Sequence, residues 1–590
     1  MSHKKWLYTS GAILLTSTML LTACTNQNSD TTSSSTTTVN VSSLSSGTVT
    51  TTLDKIDNSK WQYNATDNVY YQIGISYAAN PTDSDQQTLS IFVPGDYMEA
   101  TDNGDGTYTA TLKEDATVGN YTASTAPIVI PIDTPGYSAM AALTEYSDEA
   151  KDYTAEGMIF VSAGLRGRDS GAPTGVTDAK AAIRYLRYNQ GNVAGNTEAI
   201  FVAGMSGGGA QSAIIGASGD SSLYDPYLKE IGAVEGVSDA VAGVMAWCPV
   251  TNLDTANQAY EWNMGSTRTD LDQESQALSD GLATNYATYI NALGLKDEDG
   301  NVLKLEESDT GIYQAGSYYE YVKSTIEDSL NTFLENTTFP YDASASTSSG
   351  PGGMTGTPPS GELPALDTSS EGTAIEALDN IQRSGSSITL ELTGTYDSAQ
   401  AYIDALNTEK EWVTYDASTN TAKISSVADF VTYMKSVTKG LGAFDALDES
   451  QGENELFGYG DGTGYHWDSV MAELLEGTSY EADFTSDLAK TDSLGTDVQT
   501  RIDMYTPLYY LSSYYDGINT SNVAQHWRIR SGLSQGDTAV STELNLALAL
   551  ENYGVEEVDF ATVWGQQHVK AEVSGDSTEN FIEWVKEATN

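Results

Sequence analysis

The run Ala199-Ile200-Phe201-Val202-Ala203-Gly204-Met205-Ser206-Gly207-Gly208-Gly209-Ala210-Gln211-Ser212-Ala213-Ile214-Ile215-Gly216-Ala217 decides the architecture. Its first five residues are apolar and read as a buried strand. Residues 204–208 fit G-x-S-x-G and read as a sharp turn, and the small apolar residues after them read as a packed helix. Strand, turn and helix in this order make a nucleophile elbow. The serine of an elbow sits in a strained backbone conformation, and side chains two positions to either side would collide, so Gly204 and Gly208 are required there. The competing reading is a glycine-rich turn with its serine in solvent, because G-x-S-x-G recurs by chance in a chain with 53 glycines.

Working outward, further strand signals lie at 70–75, 87–94, 127–132, 158–163 and 242–250, with a hairpin insertion around Asn103-Gly104-Asp105-Gly106 and a helix at 177–189. Alternating strand and helix imply a mainly parallel sheet with right-handed crossovers. The fold class predicted is α/β, an α/β-hydrolase fold with flanking helices. From 251 the alternation loosens into helical pieces (318–335, 399–411, 427–437), and it resumes near 507 with a strand at 526–532, a helix at 541–553, a strand at 558–564 and a helix at 580–588. The division is 53–250 and 507–590 for the hydrolase domain, with 251–506 as a large, mostly helical lid inserted after the sheet's sixth strand. Within it, 343–373 is rich in Ser, Thr, Gly and Pro and reads as a disordered loop.

The start of the chain reads as a targeting segment. His3-Lys4-Lys5 precedes a short apolar run, and Leu21-Thr22-Ala23-Cys24 matches a bacterial lipobox. Residues 1–23 are therefore predicted to be a lipoprotein signal, Cys24 the lipidated residue, and 24–52 a flexible Ser/Thr-rich tether. An ordinary secretory signal ending at a cysteine is the alternative. On this reading the protein is extracellular and touches the membrane only through its lipid anchor. The second of the two cysteines, Cys248, reads as a small core residue without a disulfide partner. With 82 acidic against 27 basic residues the net charge is −55, which argues against nucleic acid and anionic headgroups as partners. No cluster has metal-ligand spacing, and of the four histidines His3 lies in the leader. No cofactor is expected.

A serine hydroxyl needs a general base, and the base needs an orienting group. In this fold the order along the chain is Ser, acid, His. His568 follows the last strand and fits the base; His466 reads as a polar lid residue and His526 as a strand-edge residue. Asp537 is the carboxylate that follows the preceding strand before Glu543, although it could instead cap the next helix. One oxyanion donor is expected from the amide of Gly207, the other from the Gly136–Tyr137 loop.

These motifs resemble those of the bacterial tannases (tannin acyl hydrolases, subtype B), and the exported start resembles the extracellular branch of that family. The resemblance rests on 204–213, on Gly164-Leu165-Arg166-Gly167-Arg168, on Lys180-Ala181-Ala182-Ile183-Arg184-Tyr185-Leu186, on Phe444-Asp445, on Glu453-Asn454-Glu455-Leu456-Phe457-Gly458 and on Asp537-Thr538. It implies a serine esterase with a large lid that hydrolyses galloyl ester and depside bonds of tannins. Lys439 and Glu453 would hold the hydroxyls of the galloyl ring together with Asp537. The family pattern has two aspartates, one residue apart, after this strand, the first being the triad acid; here the first is Gln535. Either Asp537 takes the triad role, with ring contact as its other possible task, or Gln535 orients His568 as a neutral amide. Asp537 is taken as the triad acid. Other readings are a feruloyl or general carboxylesterase, and a lipid-anchored binding protein with a decayed triad.

Overall fold

Nine strands form the central sheet: β1 (Gln62–Asn64), β2 (Val69–Ser76), β3 (Thr88–Pro94), β4 (Ile128–Ile132), β5 (Ile159–Ala163), β6 (Ile200–Met205), β7 (Gly243–Trp247), β8 (His526–Gly532) and β9 (Glu557–Val563). Their order across the sheet is β1-β2-β3-β5-β4-β6-β7-β8-β9. The first three pair antiparallel, as does β3 with β5; every pairing from β5 to β9 is parallel. The computed structural model describes residues 48–589 apart from 270, 344–389, 391, 393, 436 and 438. The leader, Cys24, most of the expected tether and most of the 343–373 loop lie outside the described residues.

The apolar runs become central strands because both faces of a parallel sheet are covered by helices. β3, β5 and β7 are buried at nearly every position. Some elements depart from expectation. β1 was not expected: it is a short, polar edge strand with weak periodicity. The insertion therefore follows the seventh strand, not the sixth. The helix expected at 177–189 spans Thr174–Tyr188, starting directly after Pro173. The insertion is mainly helical, but it also holds the small ladders Tyr341–Asp342 with Thr395–Tyr396 and Val413–Asp416 with Thr421–Ile424. The expected hairpin is present as Met98–Asp102 paired with Tyr108–Leu112. The insertion shares the core of the sheet. Trp412 stacks on Trp564 after β9, with ring centroids 6.4 Å apart, and the Trp564 indole donates to Tyr402 Oη at 2.8 Å.

Several residues that carry the family resemblance hold elements together. Arg166 makes a bidentate pair with buried Asp178 (2.8 and 2.9 Å), and Gln87 donates to the same carboxylate at 2.9 Å. Lys180 and Arg184 share Asp239 at 2.8 Å each. Removing one partner of such a buried pair would strand a charge, at a cost of about 3–5 kcal/mol.

Other buried acids lack such partners, and this gives the fold a definite pH dependence. Burial pushes Asp254 up to about 7, Asp468 to about 6 and Asp503 to about 6. Each holds its proton more tightly folded than unfolded. The stability they lend is complete below the ordinary carboxylate value of 3.8 and is lost as pH rises through 6 to 7. Asp239 has the opposite sense: burial raises it, but Lys180 and Arg184 outweigh burial and hold it low, so its contribution disappears only in stronger acid. Repulsion within a chain of net charge −55 acts in the same direction as the three raised acids. The thermal midpoint should therefore rise by several degrees as pH falls from 8 to 5 at fixed ionic strength. Calorimetry showing a flat or falling midpoint would contradict this.

Candidate active site

Ser206 stands where β6 turns into the helix Gly207–Ala217, with φ 59° and ψ −123°. This lies well outside the helical and extended regions and costs about 1–3 kcal/mol, a strain characteristic of functional turns. The glycines are needed for close approach: a Cβ on Gly208 would lie 2.0 Å from Ile132 O, and one on Gly204 would lie 2.4 Å from the Gly208 carbonyl. Among the described residues the Ser206 hydroxyl has no hydrogen-bond partner in the protein, so its only restraint is the backbone that presents it.

The chemistry-bearing loops all leave the carboxyl ends of parallel strands. The Gly136–Tyr137 turn follows β4, Ser206 follows β6, Gln535 and Asp537 follow β8, and His568 follows β9. The exit of β7 joins them. Ser206 N donates to Trp247 O at 2.9 Å, and Val250 N donates to Ser206 O at 3.3 Å. Between those residues, the Cys248 thiol donates to the carbonyl of Val569, next to His568, at 3.2 Å and accepts from Gly532 N at 3.3 Å. Burial pushes that thiol up to about 12, which keeps it protonated and inert.

His568 Nδ1 lies 2.6 Å from Gln535 Oε1 and 3.7 Å from Asp537 Oδ2. The hydrogen bond expected from Asp537 is thus made by Gln535. The reason is position: Gln535 sits three residues beyond β8 and is 2% exposed, braced by Ser531 and Glu543, whereas the Asp537 side chain, two residues farther on, is 40% exposed. Asp537 does not cap the next helix, whose N-cap is Ala539. Burial lowers the pKa of His568; Asp537 opposes this, while Lys439 and Lys435 reinforce it. The ring is therefore neutral at physiological pH, as a base must be.

Gly136 and Tyr137 have φ of 55° and 61°. Their amide nitrogens pack against Gly207: a Cβ there would lie 2.5 Å from Tyr137 N and 3.2 Å from Gly136 N. Tyr137 N donates to Thr134 O at 2.9 Å, which leaves the Gly136 amide as the donor this loop can offer beside that of Gly207. Arg168 fixes the turn, donating to Gly136 O at 2.9 Å and to Glu455 at 2.6 Å. The phenol of buried Tyr137 donates to Val250 O.

Lys439 and Glu453 come together in the insertion, 3.9 Å apart, with Lys439 Nζ 3.8 Å from the centroid of the Phe444 ring. Tyr260 Oη accepts from Lys439 N at 3.3 Å and donates to Gly536 O at 2.9 Å, linking the Lys439 segment to the Gln535–Asp537 loop. Tyr260 and Glu543 were not singled out from sequence. Both sit on helices (Ala256–Met264 and Val540–Tyr553) with no motif to mark them.

The other histidines fall elsewhere. His526 starts β8, at the opposite end of the sheet from the elbow, and its Nδ1 meets Glu557. His466 lies in the insertion as expected and is buried there, 2% exposed, bonded to Asp445 at 2.7 Å and stacked on Phe484. Among the described residues no group of three or more His, Cys, Asp or Glu could hold a metal ion.

A family model described as BD-FAE, an α/β-hydrolase family, matches residues 115–292. No curated protein matches the sequence. Solved structures do match over most of the chain. The native tannin acyl hydrolase from Lactobacillus plantarum is 25% identical, with 91% of this chain and 99% of that one covered and a TM-score of 0.63. The Fusobacterium nucleatum tannase is 26% identical, with 88% and 95% covered and a TM-score of 0.64. A tannin acyl hydrolase in complex with ethyl gallate is 27% identical, with 88% and 94% covered and a TM-score of 0.59. The chain thus has the α/β-hydrolase fold, its structural neighbours are bacterial tannases, and they support activity as an ester hydrolase.

Proposed function

We propose that the protein is a serine esterase that hydrolyses galloyl esters and depsides, with Ser206 as nucleophile and His568 as base. The observation that carries this reading is the grouping of His568, Gln535, Asp537 and the Lys439–Glu453 pair on the side of the sheet where Ser206 is presented. Its structural neighbours are tannases, one of them solved with ethyl gallate. His568 Nε2 takes the proton as Ser206 Oγ bonds to the ester carbonyl carbon, and the amides of Gly207 and Gly136 stabilise the tetrahedral oxyanion. The C–O bond to the alcohol then breaks, with the proton passing from His568 to that oxygen. Water repeats the sequence and releases the acid and Ser206. Lys439, Glu453 and Asp537 pair with the phenolic hydroxyls. Asp537 is thereby moved from the triad to the ring, and Gln535 takes over the orientation of His568. The lipobox reading of residues 21–24 supports an enzyme held outside the cell by a lipid on Cys24.

Purified protein should cleave methyl gallate with a kcat/KM at least about tenfold above that for methyl ferulate, because buried charges left unpaired penalise the analogue. Faster cleavage of ferulate would remove the ring clamp and leave a general carboxylesterase. Failure of a fluorophosphonate to label Ser206 would indicate a binding protein instead.

A further inference from the structure

At the place where the histidine of this fold meets a carboxylate, the chain has an amide, and behind the amide lies a carboxylate to which the chemistry above assigns no task. Gln535, Glu543 and Lys435 are 2%, 1% and 1% exposed. Gln535 Nε2 donates to Glu543 Oε1 at 3.0 Å and to Ser531 Oγ at 2.7 Å. Thr538 Oγ1 donates to the same Glu543 oxygen at 2.7 Å. Lys435 Nζ donates to Leu533 O at 3.4 Å. Burial pushes Glu543 up to about 7 and Lys435 down to about 8, and each charge partly offsets the cost of burying the other.

An amide has two chemically opposite ends. Above about pH 7 Glu543 is ionised, and an ionised carboxylate only accepts hydrogen bonds, so the end of Gln535 facing Glu543 is the NH2 group. That turns Oε1 toward His568 Nδ1, 2.6 Å away. A carbonyl also only accepts, so Nδ1 must carry the imidazole proton. The lone pair is then on Nε2, the nitrogen a base needs to present. We infer that Glu543 is a positioning residue that sets the tautomer of His568 through the Gln535 amide, in a chain His568–Gln535–Glu543. No proton crosses the amide. The proton taken from the serine stays on Nε2 until it leaves with the alcohol, and the charges that act directly on the ring are those of Asp537, Lys439 and Lys435. The catalytic consequence rests on the function proposed above; the tautomer does not.

The test uses the full chain labelled with nitrogen-15 histidine, with H568Q to assign the resonances. In the wild type at pH 8.5 (above the value of about 7 to which burial raises Glu543), Nδ1 of His568 should be protonated and Nε2 not. In E543Q two amides face each other and can reverse together, so the preference should be lost and kcat/KM should fall about tenfold or more. The swap Q535D/E543Q restores a carboxylate with an amide behind it, and should restore both the tautomer and most of kcat. An unchanged tautomer and rate in folded E543Q overturns the inference. Should E543Q not fold, Q535L decides: a retained Nδ1–H tautomer there also overturns it. The tautomer is read without substrate. An intact chain of residues in a protein that cleaves no phenolic ester would sink the esterase reading alone.

Discussion

Ser206→Ala should lower kcat on methyl gallate by about 10⁴-fold or more while leaving the protein folded. The size follows from the chemistry: without a hydroxyl no acyl-enzyme forms, and only substrate binding and the Gly207 and Gly136 amides remain. The intact fold follows from the structure. The hydroxyl has no partner to lose among the described residues, and alanine at φ 59° meets the same strain as serine. Stability should therefore stay within about 1 kcal/mol of wild type. Thermal melting and ester hydrolysis on the same preparation check both halves. A variant that melts normally and keeps more than a small fraction of activity would refute the elbow assignment.

Lys439→Ala should lower kcat/KM for methyl gallate by about 10²-fold and for methyl benzoate far less. The Glu453 side chain is 8% exposed with Lys439 Nζ 3.9 Å away, so removing the ammonium leaves a carboxylate that water reaches poorly. A gallate ring would then meet an uncompensated charge, whereas benzoate has no hydroxyl to present to either group. Lys439 also lies over the Phe444 ring, and truncating it could loosen the insertion for every substrate alike. The ratio of the two esters separates these effects: equal losses would make the lysine a packing residue. Lys439→Met, which keeps the aliphatic stem over Phe444, should show the same selectivity.

The parts of the site legible in sequence are those set by local backbone. The elbow could be read because its glycines answer to contacts four residues apart or less, plus one neighbouring strand end at Ile132. The place of His568 beside the loop that follows β8 could be read because chain order puts it directly after the last strand. The choice between Gln535 and Asp537 could not. Both leave the same strand end two residues apart, and the difference between 2.6 and 3.7 Å depends on how Ser531 and Glu543 brace one of them. Glu543 was illegible for a related reason: an acid early in a helix ordinarily faces solvent near the positive end of the dipole, whereas here the helix packs that face against the Gln535 loop. The burial of His466 was likewise not legible, being a property of the Asp445 and Phe484 neighbours that the insertion brings to it. The small ladders of the insertion are two to four residues long, too short for an alternating pattern to emerge.

The guanidinium of Arg168 touches two parts of the molecule that sequence keeps more than three hundred positions apart, the carbonyl of Gly136 and the carboxylate of Glu455. Glu455 lies two residues from Glu453 on one short helix, Gly452–Leu456. Whatever displaces that helix pulls on the carbonyl of Gly136, the residue whose own amide the proposed mechanism aims at the oxyanion. On the proposed function, recognition and turnover share a single mechanical tie, and a poorly seated aromatic acid would slow the bond-breaking step as well as weaken its own grip.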